Sequence, residues 1–127
     1  MTDRPDIEHT QILSSRELER AAFQVSTPAP GRYLAVQSGK DLVALPLHPG
    51  SITRIGRGLS ADVHIDDASV SRRHALITQR GEKTVILDDR SRNGVHVNGA
   101  RVSEAELRDG DTIVCGHVTL RYVERAE

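Results

Sequence analysis

Arg57, Ser71, Arg72, Arg92 and Asn93 are the residues whose types and spacing could do chemistry together. They fall in three short polar clusters, Gly56-Arg57, Ser71-Arg72-Arg73-His74 and Ser91-Arg92-Asn93-Gly94, each set between apolar runs. Arginine forks, a serine hydroxyl and an asparagine amide are the donors needed to hold a phosphate dianion and clamp the peptide that carries it. That chemistry is recognition. Ser71 and His74 could also be presented as a nucleophile and its base, with Asp66 or Asp67 to orient it, but no Gly-x-Ser-x-Gly elbow surrounds Ser71. The chain is not expected to be an enzyme.

The clusters must be positioned by the runs between them. Alternating or short apolar stretches predict strands over 33–37, 42–47, 52–55, 63–65, 75–79, 83–87, 112–114 and 118–123. Turn residues punctuate them: Ser38-Gly39, Pro49-Gly50, Arg80-Gly81, Asn98-Gly99 and Asp109-Gly110 supply the permissive backbone that tight connections need. Many short strands with regular turns, and no helical period after residue 31, predict an all-β, two-sheet sandwich. Residues 1–31 differ: they are charged, lack alternation and close with Ser26-Thr27-Pro28-Ala29-Pro30-Gly31, a linker composition. The expected organisation is a flexible or partly helical tail over 1–31, a sandwich domain over 32–124 and a short end at 125–127. Within the tail, Ser14-x-x-Glu17 forms a capping box with Leu13 and Leu18 as its staple, predicting a short helix near 15–23. Its stripe of Leu18, Ala21 and Ala22 is too small to hold an isolated helix in water.

The ordered set of clusters resembles the forkhead-associated (FHA) family, whose pattern runs Gly-Arg, then Ser-Arg-x-His, then Asn-Gly. Val97-Asn98-Gly99 and Leu107-Arg108-Asp109-Gly110-Asp111-Thr112-Ile113 continue the likeness. The resemblance implies an FHA sandwich with its binding loops gathered at one end, and a phosphothreonine-peptide binding module acting as adaptor or regulator in Ser/Thr kinase signalling. It implies that Arg57, Ser71 and Arg72 contact the phosphate and that Asn93 pairs with the ligand backbone. Gly56, His74 and Gly94 shape the loops. Arg73 fills the variable position, and Arg92 stands where relatives often carry a small hydroxyl residue, so it is a candidate for contacts beyond the phosphate. The other reading in the same fold is a phosphate-independent scaffold that binds a partner through a sheet face.

Glu8-His9-Thr10-Gln11-Ile12-Leu13 resembles the phosphorylatable threonine tail of small actinobacterial FHA regulators of 2-oxoglutarate metabolism, with His9 in place of one threonine of a pair. Thr10 is the candidate phosphorylation site. The roughly 22 residues from Thr10 to Arg32 extend to about 70 Å, so reach does not forbid the phosphorylated tail from entering its own site.

Composition narrows the partners. With 17 basic and 18 acidic residues there is no broad positive field for nucleic acid or anionic lipid, so anion recognition must be local. Phe23, Tyr33 and Tyr122 are the only aromatics, too few for base-stacking platforms. No histidine pair has metal-ligand spacing, so neither metal nor other cofactor is expected. The single Cys115 has no disulfide partner, and no apolar run approaches the ~18 residues of a membrane span. A cytoplasmic protein is expected.

Overall fold

A computed structural model of the chain describes residues 29–38 and 41–126. Thr10, the helix expected at 15–23 and the rest of the tail through residue 28 lie outside them. The described residues form eleven strands: β1 (Gly31–Ser38), β2 (Asp41–Pro46), β3 (Thr53–Gly56), β4 (Val63–His64), β5 (Ala75–Arg80), β6 (Lys83–Asp88), β7 (Val95–Val97), β8 (Ala100–Val102), β9 (Glu104–Leu107), β10 (Thr112–Cys115) and β11 (Val118–Arg125). Each of the eight expected strands is present, with ends within two residues of the expected ones. β7, β8 and β9 were not expected. β7 offers one alternation in three residues, and β8 and β9 carry charged residues where an apolar run would signal a strand.

The strands make two sheets, one of six in the order β2-β1-β11-β10-β7-β8 and one of five in the order β4-β3-β5-β6-β9. Pairing is antiparallel except for the short β3–β4 contact, where Ile55 faces Val63. The two-residue period decides what each strand buries. In β5, Ala75 and Ile77 are buried while Leu76 and Thr78 are half-buried; in β10, Ile113 and Cys115 are buried. Leu34, Val36, Ile55, Ile77, Ile86, Ile113, Leu120 and Tyr122 meet between the sheets in one core. Burying an aliphatic side chain of this size contributes about 1.5–3 kcal/mol. Tyr122 spans the layers, its hydroxyl within 2.9 Å of Thr84 Oγ1 and 2.7 Å of Glu124 Oε2. Cys115 lies inside, its thiol pushed up to about 12 chiefly by desolvation. It is an inert packing residue.

Chain direction then places the clusters. β3 ends at Gly56, β5 starts after His74, β6 ends at Asp88 and β7 starts after Gly94. Since β3 and β6 are both antiparallel to β5, and β7 follows the loop that leaves β6, all three polar clusters come to one end of the sandwich.

Candidate functional site

Backbone contact fuses the first two loops. Arg57 N donates to Ser71 O at 2.9 Å and Gly58 N to Arg72 O at 3.1 Å. A Cβ on Gly56 would lie 2.1 Å from Arg72 O, so only glycine permits this approach. From the far side, His64 Nε2 donates to Arg57 O at 3.0 Å.

His74 joins the second loop to the third. Its ring is fully buried. Nδ1 accepts from Ser71 N at 3.0 Å, and Nε2 lies 2.8 Å from Gly94 O. An amide can only donate and a carbonyl only accept, so these bonds assign the proton to Nε2. The ring is therefore a two-ended brace, fixing Ser71 against the turn that follows Asn93. Within the third loop, Ser91 N donates to Asp88 Oδ1 at 2.8 Å and Gly94 N to Ser91 Oγ at 2.9 Å. Arg92 N donates to Ser71 Oγ at 2.9 Å, which occupies one lone pair of that hydroxyl and leaves its proton to point elsewhere.

The loops enclose a cavity of about 350 Å³ lined by Arg57, Ser71, Arg72, Arg92 and Asn93, with Ala68, Ser69 and Val70 completing the wall. All five residues singled out as ligand contacts are thus brought to one concavity. Arg57 Nε is held by Val70 O at 3.0 Å, which aims the side chain and leaves its two terminal nitrogens unused. The guanidinium groups of Arg72 and Arg92 have no hydrogen-bond or ion-pair partner among the described residues. Arg73 is different: it pairs with Asp89 at 3.1 Å and stands outside the cavity. Asn93 Nδ2 donates to Ser69 O at 2.8 Å, leaving its second N–H and its Oδ1 open. Chemically, the site is a cluster of unsatisfied, mostly charged donors over a rigid frame. Among the described residues, no group of three or more His, Cys, Asp or Glu side chains could hold a metal ion.

Sequence reasoning missed Ser69. Besides receiving Asn93, Ser69 donates through N and Oγ to Asp67 Oδ1 at 2.8 and 2.6 Å, and its Oγ accepts from His117 N at 2.9 Å. These bonds hold Asp67 below the usual carboxylate range, the Ser69 hydroxyl contributing most. A Cβ on Gly116 would lie 2.3 Å from Ser69 O, so the β10–β11 turn is pressed against the site loop. The spacing Asp67-x-Ser69 is a local turn signal. Nothing in the sequence ties it to a turn 48 positions later.

The sequence pattern of the FHA domain family matches residues 53–116. Over 97% of this chain and 94% of the relative, the sequence is 32% identical to the oxoglutarate dehydrogenase inhibitor of Corynebacterium diphtheriae. It is 42% identical over 78 residues to an ABC transporter ATP-binding/permease protein of Mycobacterium tuberculosis, where the match covers 61% of this chain but only 9% of the transporter. A solved FHA domain, from a study of phosphothreonine-dependent FHA domain interactions, superposes with a TM-score of 0.69 at 34% identity, covering 76% of this chain and 98% of that one.

Proposed function

The chain belongs to the forkhead-associated family, and on that premise we propose that it is a phosphothreonine-peptide binding module, an adaptor or regulator in cytoplasmic Ser/Thr kinase signalling. The observation that carries this reading is the cavity itself: three arginines with unused nitrogens, a serine hydroxyl and an asparagine amide converge on about 350 Å³ of open space. In this reading Arg57 and Arg72 clamp the phosphate by charge-assisted bonds and Ser71 donates its free hydroxyl proton. Asn93 takes the ligand backbone through Oδ1 and its spare N–H. A phosphorylated Thr10 in the same chain is a ligand for this site as well, and its covalent link to the domain gives it an effective concentration on the order of millimolar. That would make kinase action on the tail a self-inhibiting switch.

Each charge-assisted bond contributes about 1.5–3 kcal/mol net. Family-type preference for phosphothreonine over phosphoserine needs more than burial of the extra methyl, which offers about 0.8 kcal/mol, or roughly fourfold. The methyl acts by restricting the rotamer that aims the phosphate at Arg57 and Ser71, and matched peptides with equal affinity would reject that account.

The decisive measurement is an oriented phosphothreonine peptide library probed with wild-type and Arg57→Ala protein. Binding should require the phosphate and weaken about tenfold to a hundredfold in the variant, the loss expected for one such contact. A partner retained equally by both proteins would instead identify a phosphate-independent scaffold. For the tail, a kinase-dependent mass shift at Thr10 should coincide with lost peptide binding in trans; undiminished binding by the phosphorylated chain rejects the switch.

A further inference from the structure

Beyond the cavity, on the far side of Asn93, the structure places a cation that the phosphate site does not use. In β7, Val95 and Val97 point inward, so His96 points outward, and Gly94, two residues before it, lies on the same outer side. β8 pairs with β7 in the register His96↔Arg101, which puts Arg101 on that face beside His96. Its side chain runs back toward the loop: a Cβ on Gly94 would lie 2.6 Å from Arg101 Nε and 2.9 Å from Cζ. The guanidinium is therefore laid across Gly94, the residue next to Asn93. Gly94 has φ +85°, so both its backbone and the space above it demand glycine.

No acceptor holds Arg101. Arg32, Arg73, Arg80 and Arg108 are each ion-paired. Arg101 has no hydrogen-bond or ion-pair partner among those residues. The nearby loop carboxylates are committed, Asp88 to Ser91 N and Asp89 to Arg73. Arg92 and Arg101 thus stand as exposed, unpaired cations around the Asn93-Gly94 step, in a chain whose net charge is −1. An extended peptide anchored at Asn93 passes this pair within about one to three residues, at ~3.3–3.6 Å each. A guanidinium fork matches a carboxylate or a phosphate.

We infer that Arg101, together with Arg92, forms a second anion subsite that reads an acidic side chain or a second phosphate close to the phosphothreonine. The inference rests on the phosphopeptide reading of the cavity and adds to it a specificity determinant from a different strand. Arg92 sits on the cavity wall and can serve either anion, whereas Arg101 serves only the outer one.

The test is Arg101→Gln, which keeps a long side chain over Gly94 and removes the charge. Wild-type and variant are titrated with phosphothreonine peptides carrying Ala, Glu or phosphoserine at each of the nearest three positions on either side. An exposed charge pair contributes a factor of about 1.5 to 5. Wild-type protein should therefore prefer Glu or phosphoserine over Ala by roughly that factor at one position. The preference should vanish in Arg101→Gln while affinity for the all-Ala peptide stays within about 1.5-fold, the coupling pattern of a direct pair. A larger gain from phosphoserine than from Glu identifies a doubly phosphorylated ligand; equal gains identify an acidic one. The same preference in both proteins, or an equal loss on every peptide, overturns the subsite and leaves Arg101 as packing over Gly94. Arg57→Ala run on the same panel separates the two failures: normal binding by that variant removes the phosphopeptide reading and the subsite with it, whereas lost binding alongside an indifferent Arg101→Gln rejects the subsite alone.

Discussion

Asn93-Gly94 and Asn98-Gly99 are the same dipeptide at opposite ends of the three-residue strand β7, and they do opposite things. At Asn98 and Gly99 both φ values are positive, +51° and +88°, as a tight hairpin between β7 and β8 requires. The Asn98 side chain is engaged at both of its polar atoms: Nδ2 donates to Asp111 Oδ1 and Oδ1 accepts from Thr112 N, each at 3.0 Å. The surrounding carboxylates are engaged too, Asp111 Oδ2 with Arg108 N and Asp109 Oδ1 with Glu124 N, both at 2.8 Å. Asn93 makes one bond, to Ser69 O, and keeps an acceptor and a donor open beside unpaired arginines. One end of the sandwich is closed on itself; the other holds polar groups in reserve. What an Asn-Gly step does is set by what faces it, carboxylates and backbone amides in one case and guanidinium groups in the other.

The largest effect should come from His74, because it is the closed element inside the open end. Removing the ring leaves Ser71 N and Gly94 O unpaired, each costing about 1–3 kcal/mol, and opens a cavity as well. His74→Ala should therefore lose about 3–5 kcal/mol and drop the thermal midpoint by more than roughly 10 °C. A midpoint within a few degrees of wild type would mean the loops are held by their own backbone contacts, and the distinction between frame and reserve would fail at its centre.

The paired asparagines give the sharpest comparison at intermediate size. Asn93→Ala should weaken phosphopeptide binding about tenfold, the scale of two neutral hydrogen bonds to the ligand backbone, while stability moves by less than about 0.5 kcal/mol as at other exposed positions. Asn98→Ala should do the reverse, costing about 1–2 kcal/mol through two lost bonds and a non-glycine residue forced to keep a positive φ, with affinity unchanged. Chemical denaturation and calorimetry on both variants read the two axes. Exchanged outcomes would break the comparison.

This contrast also marks what the sequence could and could not tell. Eight strands were legible because apolar and β-branched runs bounded by turn residues leave little choice of fold. β7, β8 and β9 were not: Val95-His96-Val97 carries a single alternation, and Ala100-Arg101-Val102 and Glu104-Ala105-Glu106-Leu107 read as polar connection. Membership of the cavity was legible for Arg57, Ser71, Arg72, Arg92 and Asn93 because their types and order match a known pattern, and the folded chain gathers them. Ser69 and Arg101 were not, because what distinguishes each is a neighbour fixed only by tertiary contact: Gly116 and His117 across the β10–β11 turn for one, and Gly94 under the β7–β8 register for the other. Arg73 and Arg72 are adjacent in sequence, yet Asp89 takes one and leaves the other.

The smallest effect tests whether the reserve at the open end is set from outside the cavity. Asp67 does not line it, but Asp67 fixes Ser69 and Ser69 receives Asn93. The Ser69 hydroxyl and amide, helped by the charge of His117, hold the Asp67 carboxyl below its usual value of 3.8 against a weaker desolvation effect. A depressed folded-state value means that folding favours the ionised form, so the contribution is complete above the unfolded value and is lost as pH falls through the folded one. Below that window Asp67 is neutral and one of its two bonds from Ser69 weakens. In ligand-free protein, the Ser69 amide should therefore lose hydrogen-exchange protection only under acid well below the usual carboxylate range. Asp67→Asn should show the reduced protection at every pH, because its amide oxygen can still accept but carries no charge. At neutral pH that variant should bind phosphopeptide about two- to fourfold more weakly, the scale of a solvent-screened charged contact. Protection that follows no acid titration in the wild type, or affinity identical in the two proteins, would mean that Asn93 is placed by its own loop and that the open end needs no support from the β10–β11 turn.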